Sequence, residues 1–193
     1  MVSLKVNLSG LELSNPIIPA SGCFGYGKEF CDYYDINILG SFCTKGTTKD
    51  SRFGNDTPRI AESSCGMLNS VGLQNPGINH VIEHELKDMA SYYLKPVIAN
   101  ISGFSIEEYE YCARSLRGID NIGLIEVNIS CPNVHNGGMS FGTSADMAAK
   151  VTKAVVKAAD KPVYIKLSPN VTDIVSIAKA CEDEGASGIC AIN

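Results

Sequence analysis

Short β-branched runs alternate with amphipathic segments along most of this chain. Nearly every run stays apolar until its carboxyl end, where a polar or charged residue appears. After an N-terminal hairpin around Leu4 to Leu13, the runs are NPIIPAS (15–21), INILGSFCTK (36–45), PVIANIS (96–102), GLIEVNISC (123–131), PVYIKLSP (162–169) and GICAIN (188–193). The later runs are separated by well-marked helices. Ser105 with Glu108 reads as a capping box ahead of a face made by Ile106, Tyr109, Ala113 and Leu116, and Gly118 stops that helix. Thr143 with Asp146 repeats the device ahead of Met147, Val151, Ala154, Val155 and Ala158. Thr172 is placed to cap a third helix, which runs past Ile174, Ile177 and Cys181 to Gly185. Alternation of this kind predicts a parallel sheet covered by helices.

Such a sheet is either open and doubly wound or closed into a barrel. The G-x-G-x-x-G fingerprint of a dinucleotide-binding open sheet is missing, and GCFGYG at 22–27 has the wrong spacing. The polar residues at the strand ends decide the expectation. Ser21, Lys45, Asn100, Asn128, Lys166 and Asn193 fall one to a run, and parallel strands bring their carboxyl ends to one mouth. The reading is therefore an α/β fold of the (β/α)8 TIM-barrel type. It forms a single domain over 1–193 that holds only about the first six strands. A closed barrel has eight strands and typically ~250 residues, and it often holds a ligand phosphate with the loops after strands seven and eight. On that count the domain is incomplete at its C-terminus. The amides at the mouth suit a flat ligand rich in heteroatoms, and the lysines suit negative charge that resides or develops there.

Composition narrows the partners. A net charge of −5 and a pI near 5.2 exclude a nucleic-acid surface. MVSLKVNLSGLELSNP is too polar for a signal peptide, and no apolar run approaches the ~20 residues of a spanning helix, so a cytoplasmic protein away from membranes is expected. The 8 cysteines contain no C-x-x-C, which argues against zinc, an iron–sulfur cluster or a disulfide framework. Cys112, Cys181 and Cys190 read as core residues. His80 and His84 share a helical face without H-E-x-x-H or a third ligand and read as solvated, so no metal is expected. The 50–60 stretch, DSRFGNDTPRI, reads as a surface excursion.

Cys131 stands apart. It lies where a strand gives way to a polar, glycine-rich segment, with Asn128 and Asn133 on either side, a placement that suits chemistry better than packing. A nucleophile in acyl transfer would want a histidine, and the local one, His135, reads as facing solvent.

The blocks P-A-S-G-C-F-G-Y-G (19–27), T-K-G-T-T (44–48), N-S-V-G-L-Q-N (69–75), N-I-S-C-P-N-V (128–134) and K-L-S-P-N (166–170) together resemble class 1 dihydroorotate dehydrogenases, over the whole of 1–193. The loop N-V-H-N-G-G-M-S-F-G is similar to that of subclass B. The resemblance implies oxidation of dihydroorotate to orotate in pyrimidine (UMP) synthesis, with FMN as hydride acceptor and Cys131 as general base. It implies flavin contacts from Ser21, Lys45, Gly46, Asn100, Asn128, Lys166 and Ile192. Substrate contacts would come from Lys45, Asn69, Ser70, Val71, Gly72, Leu73, Asn128, Asn133 and Asn193. The 135–142 segment would close over the substrate, with Gly137 and Gly138 as flexible points. For subclass B it implies a homodimer joined to a second subunit that carries FAD and a [2Fe–2S] cluster and passes electrons to NAD, a heterotetramer. Two alternatives stay open: the pyrimidine-reducing flavin barrel of dihydropyrimidine dehydrogenase, and a non-catalytic truncated barrel.

Overall fold

The computed structural model describes residues 2–130 and 140–193. Its centre is a parallel sheet of four strands in the order β5 (Val97–Ile101), β6 (Ile122–Asn128), β7 (Val163–Lys166) and β8 (Gly188–Cys190). Two antiparallel hairpins accompany it: β1 (Val6–Leu8) with β2 (Leu11–Leu13), and β3 (Ile60–Ser63) with β4 (Gly66–Asn69). The first turns at Ser9 and Gly10, both at positive φ, the geometry that matches the twist of a two-residue hairpin.

The helices α3 (Ile106–Ser115), α4 (Ala145–Ala158) and α5 (Ile174–Asp183) connect the parallel strands. A fourth helical rod, 78–89, precedes β5 and consists of α1 (Ile78–His80), a π-type turn at Val81–Glu85 and α2 (Leu86–Met89). The helix faces follow the sequence, but two of the caps shift by one residue. Ser105 caps α3 as expected, accepting from the Glu108 amide at 3.3 Å, while the Glu108 carboxylate reaches back to the Phe104 amide at 2.8 Å. Ser144 caps α4 instead of Thr143, whose hydroxyl donates to the Ser140 carbonyl. Asp173 caps α5 instead of Thr172, with one carboxylate oxygen taking the amides of Val175 and Ser176. His80 and His84 are exposed on the 78–89 rod.

The sheet has two different faces because side chains alternate along each strand. Val97, Ala99, Ile101, Ile125, Val127, Val163 and Ile165 pack against the helices in the main core. On the other face Ile98 and Leu124 pack with Leu11, Leu13 and Cys43, so the first hairpin covers the amino-terminal end of that face. Gly123 permits the approach, since a Cβ there would stand 2.6 Å from the Leu11 side chain. Further along this second face the apolar pairs give way to Asn100, Glu126, Asn128 and Lys166.

The parallel sheet among the described residues has four strands and is not closed, so the count of about six is not confirmed. The 15–21 run makes no ladder strand. Pro16 and Pro19 have no N–H, and the segment's backbone meets the next run through carbonyls alone: those of Ile17 and Pro19 receive the Gly40 and Cys43 amides at 3.1 and 2.9 Å. The 36–45 run begins as a 3-10 turn, Ile36–Ile38, with Asp35 accepting from the Asn37 amide. Only its end lies along the sheet, through parallel bridges Cys43↔Ile98 and Thr47↔Ile101. The 60–69 hairpin lies just past the stretch read as a surface excursion. All of its strand residues are exposed, so no alternation of burial marked it.

Candidate active site at the carboxyl ends of the strands

A cleft of ≈ 770 Å³ opens where the parallel strands end. Of the residues expected there, Ser21, Lys45, Gly46, Asn69, Val71, Gly72, Leu73, Asn100, Asn128, Lys166 and Asn193 line it. The register explains much of this convergence: Asn100 pairs with Glu126 across β5 and β6, and Asn128 pairs with Lys166 across β6 and β7. Lys45 comes from the segment bridged to β5, where its amide donates to the Gly25 carbonyl at 2.9 Å. Cys131, Asn133 and the 135–139 part of the expected lid lie outside the described residues. Ser70 and Ile192 are placed differently. The Ser70 hydroxyl is turned to the Asn55 side-chain amide at 3.0 Å. Ile192 borders a smaller cavity of ≈ 270 Å³ on the far side of Glu126 and Lys166.

The cleft also takes residues that sequence reasoning passed over. Arg52 lies over the Phe104 ring, 4.2 Å from its centroid, and both line the cleft together with Cys23, Asn55 and Ser130. Their signal was weak, because Arg52 sits in the stretch read as a surface excursion. A second omission is Glu126, 5% exposed beneath the cleft. A lone carboxylate inside the apolar strand GLIEVN was its visible sign, since a charge is almost never fully buried unless paired.

The 52–75 segment is braced from below and within. Asn75, buried, accepts from the amides of Thr48 and Gly77 and donates to the Leu73 carbonyl at 2.9 Å. Gly72 has φ +72, and a Cβ there would collide with Asn55 at 2.7 Å, so this bend requires glycine.

The electrostatics are one-sided. Lys45, Arg52 and Lys166 line the cleft, and no Asp or Glu does so among the described residues. In a chain of net charge −5, that is a local concentration of cations facing amides, suited to an anionic, heteroatom-rich ligand. Burial pushes the Lys45 ammonium below the ordinary lysine range, opposed by the nearby Cys23.

Of the residues that line the cleft, Asn100 and Ser130 each hold a buried side-chain oxygen, Oδ1 and Oγ, without a protein partner among the described residues. Buried polar atoms are normally satisfied, so these are open positions for a ligand. A Cβ on Gly46 would stand 2.7 Å from Asn100 Oδ1, so only glycine leaves that approach free for a flat ring. Those features fit a flavin ring, whose edge offers both donors and acceptors.

The helix-covered parallel sheet with ligand groups at its carboxyl ends defines an α/β protein whose cleft is built for a flat anion. The family described as Dihydroorotate dehydrogenase matches residues 3–193, and the chain belongs to that family. Among its relatives is "Dihydroorotate dehydrogenase B (NAD(+)), catalytic subunit" of Malacoplasma penetrans (strain HF-2), 55% identical over 98% of this chain and 62% of that protein. The protein of the same description from Oceanobacillus iheyensis is 55% identical over 100% of this chain and 63% of its own length. That from Geobacillus kaustophilus (strain HTA426) is 52% identical over 100% and 61%. The chain thus spans about three-fifths of the length of these relatives.

Proposed function

We propose that this chain carries the flavin and substrate cleft of a B-type dihydroorotate dehydrogenase and oxidises dihydroorotate to orotate in pyrimidine synthesis. The observation that carries the reading is the charge of the cleft: three cations and a set of Asn amides, with no acidic side chain lining it among the described residues. Dihydroorotate presents a carboxylate and a ring with amide donors and acceptors, which these groups match. The names of the relatives support the same reaction. We place the cleft in a (β/α)8 barrel of which this chain supplies one domain over 1–193 and the first strands.

On this reading FMN, when bound, supplies the acceptor for the hydride that leaves C6 of the substrate. Cys131 takes the proton from C5, so two hydrogens and one electron pair leave the ring as it becomes orotate. Asn69, Asn128, Asn133 and Asn193, with the Val71, Gly72 and Leu73 stretch, hold the ring and its carboxylate. Lys45 would serve both ligands, and Lys166 would give a fixed cation where reduction builds negative charge. Ser21, Gly46 and Asn100 complete the flavin contacts.

The description "catalytic subunit" in the relatives supports a partner. We assign it FAD and a [2Fe–2S] cluster that pass electrons to NAD, in a heterotetramer built on a homodimer. No described helix is long and apolar enough to cross a membrane. We place the assembly in the cytoplasm.

The product of the complete reading frame tests this directly. A yellow protein whose flavin absorbance is bleached by dihydroorotate under anaerobic conditions, and not by dihydrouracil, supports the assignment. Bleaching by dihydrouracil alone would transfer the chain to the pyrimidine-reducing class, and a colourless protein would remove the flavin.

Lys45 gives this site a pH dependence. Its ammonium is lost at lower pH than that of an ordinary lysine, near 10.4. Loss of the positive charge weakens carboxylate binding, so KM for dihydroorotate rises on the alkaline side, beginning below the ordinary lysine range. Lys45→Arg keeps its charge above pH 12 and should remove that alkaline rise in a KM–pH profile. An unchanged profile would place the titration elsewhere.

A further inference from the structure

Glu126 stands on the inner face of the sheet where groups from four segments meet: Cys43, Asn100, Lys166 and Cys190. One of its oxygens, Oε1, accepts from Asn100 Nδ2 at 2.6 Å and from the Cys43 thiol at 3.1 Å. The other, Oε2, accepts from the Cys190 thiol at 2.7 Å. Lys166 Nζ lies 3.9 Å from Oε1, with both side chains under 10% exposed. A carboxylate with only donors around it has one consequence for Asn100. The amide N–H group is committed to Glu126, because the flipped amide would set oxygen against oxygen. The carbonyl oxygen must then turn the other way, and it is the buried, unpartnered Oδ1 that borders the cleft at Gly46.

The two thiols reinforce this arrangement. Burial, with the neighbouring carboxylate, holds Cys43 well above the ordinary thiol range and pushes Cys190 up to about 12. Both therefore remain protonated donors to Glu126 and are not candidates for nucleophiles. Glu126 itself does not line the cleft. It can act on a ligand only through Asn100 and Lys166.

We propose that Glu126 is a positioning residue of the flavin site, holding Asn100 as a hydrogen-bond acceptor toward the ring and offsetting the charge of Lys166 beneath it. The inference rests on the flavin assignment above and adds a specific demand: the ligand presents an N–H, not a lone pair, to Asn100. It also sets the electrostatics, since a lysine paired with a buried carboxylate stabilises added negative charge less than a lone lysine would.

The test uses the complete reading-frame product loaded with FMN, with FMN Kd read by fluorescence quenching and the flavin midpoint potential by spectroelectrochemistry. Glu126→Gln keeps the shape and removes the charge. Its midpoint potential should move positive, because the Lys166 charge is no longer offset, and FMN Kd should rise about tenfold as Asn100 loses its fixed orientation (a loss of ~1.4 kcal/mol). Glu126→Asp keeps the charge but withdraws it by one methylene. It should weaken FMN binding with a smaller change of potential, and it serves alone if Glu126→Gln does not fold. A wild-type protein that binds FMN, with both variants at wild-type Kd and potential, overturns the role of Glu126 and leaves the flavin assignment standing. A wild-type protein that takes up no FMN overturns both.

Discussion

On the proposed function, replacing Cys131 with alanine should lower the rate of substrate-driven flavin reduction by about 10²- to 10⁴-fold, the usual worth of a positioned general base. Flavin content and FMN Kd stay at wild-type values, because the proton at C5 concerns the substrate alone. Cys131→Ser separates basicity from position. A hydroxyl is a far weaker acid than a thiol of reference pKa ~8.5, so far less of it is ionised to take a proton near neutral pH. The serine variant should therefore be slow at neutral pH and gain rate as pH rises. Stopped-flow reduction with dihydroorotate across pH gives both numbers. A rate for Cys131→Ala within tenfold of wild type would assign the proton to another group.

The second large effect is on stability. Lys166→Met leaves the Glu126 carboxylate buried with neutral donors only: Asn100, Cys43 and Cys190. Removing one member of a buried ion pair costs about 3 kcal/mol or more, because the remaining charge stays desolvated. Adding Glu126→Gln removes that charge, so the double variant should be more stable than Lys166→Met alone although it carries one substitution more. Urea unfolding of the flavin-free proteins measures the cycle. A double variant whose loss equals the sum of the two single losses would mean that the charges do not compensate each other.

The second prediction concerns Lys166, which ends its strand, and such ends were the legible part of the chain. In a parallel sheet an apolar run that finishes in Asn or Lys has few places to put that group except the mouth. Asn100, Asn128 and Lys166 duly line the cleft. Helix faces were legible too, since Tyr109, Ala113 and Leu116 recur at helical spacing and are fully buried. The early runs were misread because β-branched content says nothing about donors. Pro16 and Pro19 have no N–H, and the backbone of 15–21 meets the next run through carbonyls alone, while Asp35 turns the start of that run into a 3-10 cap. Arg52 escaped notice because its stacking on Phe104 joins loops far apart in sequence. Glu126 could have been found from its charge, but its partners come from several different segments and only the fold assembles them.

The exposed 60–69 hairpin has a consequence for how such a protein changes over evolutionary time. None of its strand residues contributes to a core, yet Ile60, Met67 and Asn69 border the cleft. Mutations there meet little selection from folding and act almost wholly on what the cleft admits. Asn100, Glu126 and Lys166, on the strands beneath, cannot vary without disturbing the sheet interior. The hairpin is thus the variable half of the site and the strand-borne groups the constant half, so a lineage could explore new ligand shapes through ten exposed positions while the groups on the sheet stayed in place.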